Sequence, residues 1–331
     1  VSEHRLWALA HLGTPMALRV AATLRIADRL AKGPGTGEEL AGAVGADPGA
    51  LERLLRYLAA RGVLERDASG AYTLTPLGEE LREDHPAGMR AMLDLEGWEG
   101  RAELAFAHLL HSVRTGEAAY PRQFGRTFWD DLAADPARAA AFDARMAAEM
   151  PARAPAIVAG YDWGTLSHLV DVGGGDGSLL IALLTAFPAL RGTVLDQPDT
   201  ARAARSALEA AGLSGRARAV GGSFFDPLPA GADGYLLSWI LHDWNDDDAR
   251  AILTRCAQAV RPGGSVFVVE DFGPDGESPR TGMDLRMLVY YGGRERGIGD
   301  LRAIARDAGL EIASVHPAGD LRIVRLVAAH D

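Results

Sequence analysis

The stretch Leu169-Val170-Asp171-Val172-Gly173-Gly174-Gly175-Asp176-Gly177 constrains this chain more than any other. Its first four residues have the apolar character of a short buried strand, and the glycines let the backbone turn sharply. Ser178 to Phe187 (SLLIALLTAF) then reads as an apolar helix. A ligand set against such a turn meets bare backbone amides and the positive end of a helix. The next strand, Thr193-Val194-Leu195-Asp196, ends in a carboxylate about twenty residues on, where such folds hold the ribose hydroxyls of an adenosine. A purely structural strand-to-helix turn has no use for Asp196 there. The pattern predicts a nucleotide-type cofactor site.

Spacing narrows the cofactor. A dinucleotide fold wants G-x-G-x-x-G, with the last glycine packing beside a pyrophosphate. Here Gly173, Gly175 and Gly177 give G-x-G-x-G, and Ser178 stands three residues after Gly175. S-adenosylmethionine (SAM) has a ribose but no phosphate, and its zwitterionic end needs backbone amides and carbonyls. The turn therefore favours SAM over NAD.

A chain of 331 residues predicts two domains, or one large domain with an appendage. The net charge of −11 predicts no general attraction to nucleic acid or to an anionic membrane. Cys256, the single cysteine, excludes intrachain disulfides and thiolate clusters and fits a reducing cytoplasm. Lying within AILTRCAQAV, it is expected to be buried filler. No signal peptide or membrane span is expected, and no His/Asp/Glu cluster has metal-ligand spacing, so the expectation is a cytoplasmic, metal-free protein.

The amino-terminal part predicts a helix over 14–30, stopped by Gly33-Pro34-Gly35. A second helix opens at Thr36, and a third runs from Asp47-Pro48 to Ala60. Val63–Arg66 and Ala71–Leu74 then read as a hairpin. Three helices and a hairpin are the winged-helix order, which in another setting binds DNA. Arg53, Arg56 and Arg61 would face the phosphates, but Glu38, Glu39, Glu52, Glu79, Glu80, Glu83 and Asp84 surround them. The apolar stripes of 14–60 exceed what one small domain buries, so dimerisation is the favoured use. The predicted organisation is a winged-helix dimerisation domain over 1–85, a helical pocket segment over 86–160, and a cofactor domain over 161–331. The helical segment carries Trp98, Phe106, Trp129, Phe142, Met146 and Met150. With Met287, Tyr290 and Tyr291 these form a pool for an aromatic acceptor pocket, about half of which core packing would absorb.

From Ser167 strands and helices alternate. Strands are predicted near 168–172, 192–196, 216–221, 234–241 and 265–270, with helices near 178–187, 199–212 and 246–260. A helix over 301–309 and a strand pair over 311–315 and 321–328 close the chain. This is α/β, a Rossmann-like doubly wound sheet with a terminal antiparallel pair, an addition that suits a SAM methyltransferase better than a dinucleotide fold. The fourth strand leads into Ser238-Trp239-Ile240-Leu241-His242-Asp243-Trp244, which brings His242 to the ligand-facing edge. A histidine there can take the proton of a phenol during methyl transfer, held on its other nitrogen by Glu270 or Glu295.

The motifs DVGGGDG, VLDQP, GSFFDPLP, SWILHDWNDDDA, RPGG and GGRER resemble the plant-type, metal-independent, small-molecule O-methyltransferases. The likeness is to the bacterial branch that decorates aromatic polyketides, including the naphthoate O-methyltransferases of enediyne biosynthesis, and it covers nearly the whole chain. It implies that Gly173 and Asp196 hold SAM, that His242 is the base, and that Glu270 and Glu295 flank it. Asp171, Gly175, Gln197 and Trp239 complete the expected cofactor set. Two positions depart from the family: Ser223 replaces an acid beside the adenine, next to Phe224, and Ser238 replaces a lysine. Phe142 and Met146 match the family's Phe-x-x-x-Met pattern beside the methyl donor; Trp98, Met150, Asp243, Met287, Tyr290 and Tyr291 are expected to face the acceptor. The implied partners are a fused-ring phenol and a second copy of the chain, with S-adenosylhomocysteine as product. Two other readings compete: a SAM-binding hydroxylase or decarboxylase of the same fold, against which His242 argues, and a winged-helix ligand-sensing regulator.

Overall fold

Short-range chemistry accounts for how the amino-terminal elements begin. The computed structural model describes residues 5–274, 278 and 280–329. They fall into two compact units, one ending at Leu104 and the other starting at Ala105. In the first unit Thr36 caps the helix Gly37–Val44, its side chain accepting from the Glu39 amide while Glu39 reaches back to the Thr36 amide. Asp47 caps Pro48–Ala60 with its side chain alone, accepting from the Ala50 amide at 2.7 Å. The helix expected over 14–30 forms as two, Gly13–Thr23 and Ile26–Leu30, because Arg25 takes a left-handed conformation (φ 54°). The hairpin Leu64–Arg66 and Ala71–Leu74 gains a third strand, Gly35–Thr36, inside the segment read as a simple helix stop. Leu51, Leu55 and Leu58, one stripe of their helix, bury against Ile26, Leu30 and Tyr72. Leu6, Trp7, Leu9 and Leu12 are exposed.

The second unit is built on seven strands: β1 His168–Val172, β2 Arg191–Asp196, β3 Ala217–Gly221, β4 Gly234–Ser238, β5 Ser265–Glu270, β6 Leu310–Ala318 and β7 Leu321–Ala328. The order is β3-β2-β1-β4-β5-β7-β6. β1 to β5 are parallel, and β7 inserts antiparallel between β5 and β6. The order steps away from β1 in both directions, so the crevice opens where β1 and β4 end. The longer helices of this unit are α1 Pro136–Gly160, α2 Ser178–Ala186, α3 Pro198–Ala210, α4 Asp246–Ala259, α5 Thr281–Tyr291 and α6 Ile298–Asp307.

Strand alternation sorts the core into two layers. Val170, Tyr235, Leu237, Val266 and Val268 pack with α4 and α6, and Cys256 is buried there as filler. Leu169, Leu236, Phe267 and Val269 pack with α1, α2 and α3 on the other face. The segment read as helical over 86–160 is a series of short helices before α1: Met89–Leu93, Trp98–Glu103, Leu109–Thr115, Tyr120–Phe124 and Phe128–Ala133. The boundary expected at 85/86 falls inside the first unit, and that at 160/161 inside the second. Among the described residues no helix is long and apolar enough to cross a membrane.

Phe267 is wholly buried at the centre of β5, with Tyr161 and Trp163 against it at centroid distances of 4.9 Å each. Phe267→Ala should cost about 3–5 kcal/mol, since the β-sheet cannot collapse into the void. Urea denaturation measures it, and a loss under about 1 kcal/mol would mean the layer repacks freely.

Candidate active site

The glycine turn is dictated by geometry as well as by composition. Gly173, Gly175 and Gly177 have φ of 70°, 58° and 81°, a region that side chains disfavour. At Gly173 a Cβ would also collide with Ile240 Cδ1. Asp196 closes the turn from β2, accepting from the amides of Gly175 (2.8 Å) and Gln197 (2.7 Å). Beneath it, Asp171 is buried and its Oδ2 has no hydrogen-bond partner. A Cβ on Gly174 would lie 2.6 Å from that oxygen.

Carboxylates crowd this end of the sheet. Burial, then the charges of Asp196 and Asp176, lift Asp171 to about 7. Asp143 on α1 is lifted to about 6 by burial and by the same two neighbours. Burial also raises Asp196, although its two backbone hydrogen bonds oppose the shift. Such a field attracts a cation. At the far side, Ser238 Oγ and Trp239 Nε1 are buried polar atoms without partners, and the Arg153 guanidinium lies 4.2 Å over the Trp239 ring. A sulfonium, an ammonium and a carboxylate on one ligand fit this set of acids, free donors and one guanidinium. Phe224 lies 3.6 Å from where a Gly173 Cβ would sit and meets Trp244 edge-on. The hydroxyl of Ser223 accepts from the Phe225 amide.

The fourth strand was expected to reach Leu241, but it stops at Ser238. Trp239 takes a left-handed conformation (φ 52°), strain of about 1–3 kcal/mol for a bulky residue. A tight turn, Leu241–Asp243, follows and carries His242. His242 Nδ1 lies 3.3 Å from Glu295 Oε1, and Nε2 lies 3.5 Å from Asp243 Oδ1. The His242 amide donates to Glu270 Oε1 at 3.1 Å. Both flanking glutamates are therefore present with different tasks: Glu295 faces the ring, and Glu270 holds the backbone. Gly293 permits this, because a Cβ there would collide with the His242 carbonyl, to which the Arg294 amide donates at 2.9 Å.

Burial disfavours an imidazolium, but Asp243, Glu295 and Glu270 outweigh it and lift His242 to about 9. Asp243 is itself raised to about 7, by burial first and then by its two acidic neighbours. A phenol ionises near 10, so a plain imidazole at about 6.5 would take its proton uphill by about 3.5 units. Raised to about 9, the His242 ring would be nearly matched to such a proton, the condition for efficient transfer.

The aromatic wall is organised around Phe128 and Trp129. Trp129 stacks on Tyr291 at 5.2 Å and on Trp244 at 6.4 Å, and Phe142 meets it edge-on at 5.7 Å. Tyr290 stacks on Phe128 at 6.4 Å and meets Phe106 edge-on. Met287 is buried on α5, and Met150 packs against the core layer over β1. Met146 is 40% exposed, and Trp98 belongs to the first unit. A cleft of about 420 Å³ opens beside Thr281, Leu285, Leu288 and Arg294, and none of the expected acceptor residues lines it. Sequence reasoning missed Asp143, Arg153 and Trp244: two charges on a solvent-patterned helix and an indole inside a motif. Only Trp244 carried a signal, its place two residues after His242.

Comparison with known proteins agrees in both halves of the chain. Residues 106–311 match the O-methyltransferase domain model, and residues 7–84 match the O-methyltransferase dimerisation domain model. The chain is 53% identical over 321 residues to 2,7-dihydroxy-5-methyl-1-naphthoate 7-O-methyltransferase of Streptomyces carzinostaticus, covering 97% of this chain and 96% of that protein. It is 44% identical to aclacinomycin 10-hydroxylase of Streptomyces purpurascens, over 94% of this chain and 85% of that one. Among solved structures, an O-methyltransferase from neocarzinostatin biosynthesis, in complex with SAM and 2-hydroxy-5-methyl naphthoic acid, superposes with a TM-score of 0.90. That pair is 51% identical, with 99% of this chain and 100% of that one covered.

The His242 ring should stay protonated at pH 7.5 and lose its proton near pH 9, and Glu295→Gln should lower that midpoint. Nitrogen NMR of labelled histidine, assigned with His242→Gln, measures this. A midpoint at or below about 7 would mean the three carboxylates do not act on the ring.

Proposed function

The chain belongs to the O-methyltransferase family, and on that premise we propose that it methylates a phenolic hydroxyl of a fused-ring acceptor of the hydroxynaphthoate kind, using SAM. The observation that carries the reading is the position of His242. It stands on a turn whose Ile240 packs against Gly173, so the base adjoins the cofactor turn rather than occupying a site of its own. SAM supplies a methyl group on a sulfonium, and S-adenosylhomocysteine is left.

The protein's own part is binding, alignment and proton removal. Gly173, Gly175 and Asp196 hold the adenosine, with Asp196 exchanging backbone donors for ribose hydroxyls. Asp171, Ser238, Trp239 and Arg153 meet the amino-acid end. Phe142, Trp129, Tyr290 and Tyr291 offer flat faces to a planar ring system, and Met287 adapts to its edge. His242 Nε2 takes the phenolic proton as the oxygen attacks, and Glu295 on Nδ1 stabilises the imidazolium. Asp243, next to Nε2, is placed to accept from a second hydroxyl of the acceptor.

A hydroxylase of the same fold is the second reading, favoured by the 44% identical relative. Incubation with SAM and one-, two- and three-ring phenols, read by mass, separates the two: methyl transfer adds CH2, hydroxylation adds one oxygen. His242→Gln should keep SAM affinity within a few-fold while turnover falls roughly 10²–10⁴-fold. In the wild type kcat/KM should rise from pH 7 to about pH 9, because only the deprotonated ring accepts a proton. A near-full rate in the variant, or a profile flat above pH 7, would remove His242 as the base.

The protein also acts as a homodimer in this reading, through the first unit. Leu6, Trp7, Leu9 and Leu12 expose a contiguous apolar segment that water does not favour, and the acidic surroundings offer nothing to nucleic acid. Light scattering should give a dimer at micromolar concentration and a monomer for Leu9→Glu combined with Leu12→Glu. A wild-type monomer would overturn the assignment.

A further inference from the structure

We propose that Arg296 is a positioning residue for His242, clamping the turn that carries the base by that turn's own carbonyls and standing as a fixed positive charge among its carboxylates. The proposal rests on the methyltransferase reading, in which His242 is the base. The Arg296 side chain is wholly buried. Its Nη1 donates to the Leu241 carbonyl at 2.6 Å, and its Nη2 to the Trp244 carbonyl at 2.8 Å. These two carbonyls bracket His242 and Asp243. On the other side Nε and Nη2 donate to Asp246 Oδ1 at 3.0 and 2.8 Å, tying the turn to the first residue of α4.

The turn needs such a clamp. It leaves β4 through the left-handed Trp239, a conformation that persists only where surroundings over-determine it. A planar fork can reach three acceptors from one fixed plane, which the single nitrogen of a lysine cannot do. Charge points the same way. Glu270 and Glu295 are almost fully buried beside Asp243; burial pushes the Glu270 carboxyl up, and the charges of His242 and then Arg296 oppose that shift. That carboxylate in turn accepts from the His242 amide. Arg296 touches neither acceptor nor cofactor in this scheme; it acts through the turn.

The test uses Arg296→Lys, which keeps the charge and loses the fork, and Asp246→Asn, a partly exposed change that loosens the same guanidinium from outside. Amide hydrogen exchange at His242, Asp243 and Trp244 should accelerate about tenfold or more in Arg296→Lys, while β4 and β5 amides stay protected. SAM affinity by calorimetry should stay within about threefold, and kcat on 1,4-dihydroxy-2-naphthoate should fall roughly 10–100-fold at nearly constant acceptor KM. Asp246→Asn should move exchange and kcat in the same direction by less. Unchanged exchange at the turn in both variants would overturn the clamp, as would a kcat kept within about threefold in Arg296→Lys. So would equal losses in SAM affinity and kcat, the mark of a general structural role. The exchange measurement needs no acceptor, so it decides the clamp even if no hydroxynaphthoate is methylated.

Discussion

Three carboxylates and an imidazole are buried together where β4 and β5 end, and much of the second unit is arranged to make that tolerable. Isolated, each charge would cost several kcal/mol to bury, and each group would take its neutral form instead. Here the imidazolium balances Glu295, the Glu270 carboxylate accepts a backbone amide, and a fully buried guanidinium stands behind both. The result is an imidazole that holds its proton up to about pH 9. Gly293 is part of the same solution, since only a residue without Cβ lets the Glu295 segment approach the His242 carbonyl.

The second acidic region, around the glycine turn, has the opposite logic. Burial and the charges of Asp196 and Asp176 push the carboxyl groups of Asp143 and Asp171 up, and the Asp171 Oδ2 has no hydrogen-bond partner among the described residues. A positively charged ligand would relieve the repulsion and pair with the orphaned oxygen, so binding and electrostatics point the same way. Between the two regions lies a single strand end, Ser238 to Ile240, which carries two unpartnered polar atoms, the strained Trp239 and the side chain that closes on Gly173. In the proposed scheme, cofactor site and base are thus consecutive on one segment, which fixes their separation by backbone geometry.

The aromatic wall connects to both. Trp129 stacks on Tyr291 on one side and on Trp244, which meets Phe224 edge-on, on the other. Trp244 follows Asp243 directly, so ring stacking and the buried imidazole share the Leu241–Trp244 turn. In the proposed scheme, flat faces joined in this way would select for planarity more than for any one substituent.

How much of this was written in the sequence depends on the range of the interaction. The glycine turn, Asp196 at the end of β2, the caps at Thr36 and Asp47 and the seven strands are local: backbone sterics, capping and hydrophobic period decide them within a few residues. The family, too, was legible, because its motifs sit on those local elements. The break at Arg25, the Gly35–Thr36 strand and the end of β4 at Ser238 were not legible, since each is a conformation imposed by neighbours distant in sequence. The site divides the same way. Sequence alone could name His242, Glu270 and Glu295 but could not tell which carboxylate faces the ring and which holds the amide. Their separation in the chain is bridged only when α5 and the Gly292–Gly293 turn bring Glu295 over β4. Asp143 and Arg153, and the task of Arg296 within its GGRER motif, became visible only in three dimensions, because a charged side chain on a helix or loop looks solvated until burial changes its surroundings.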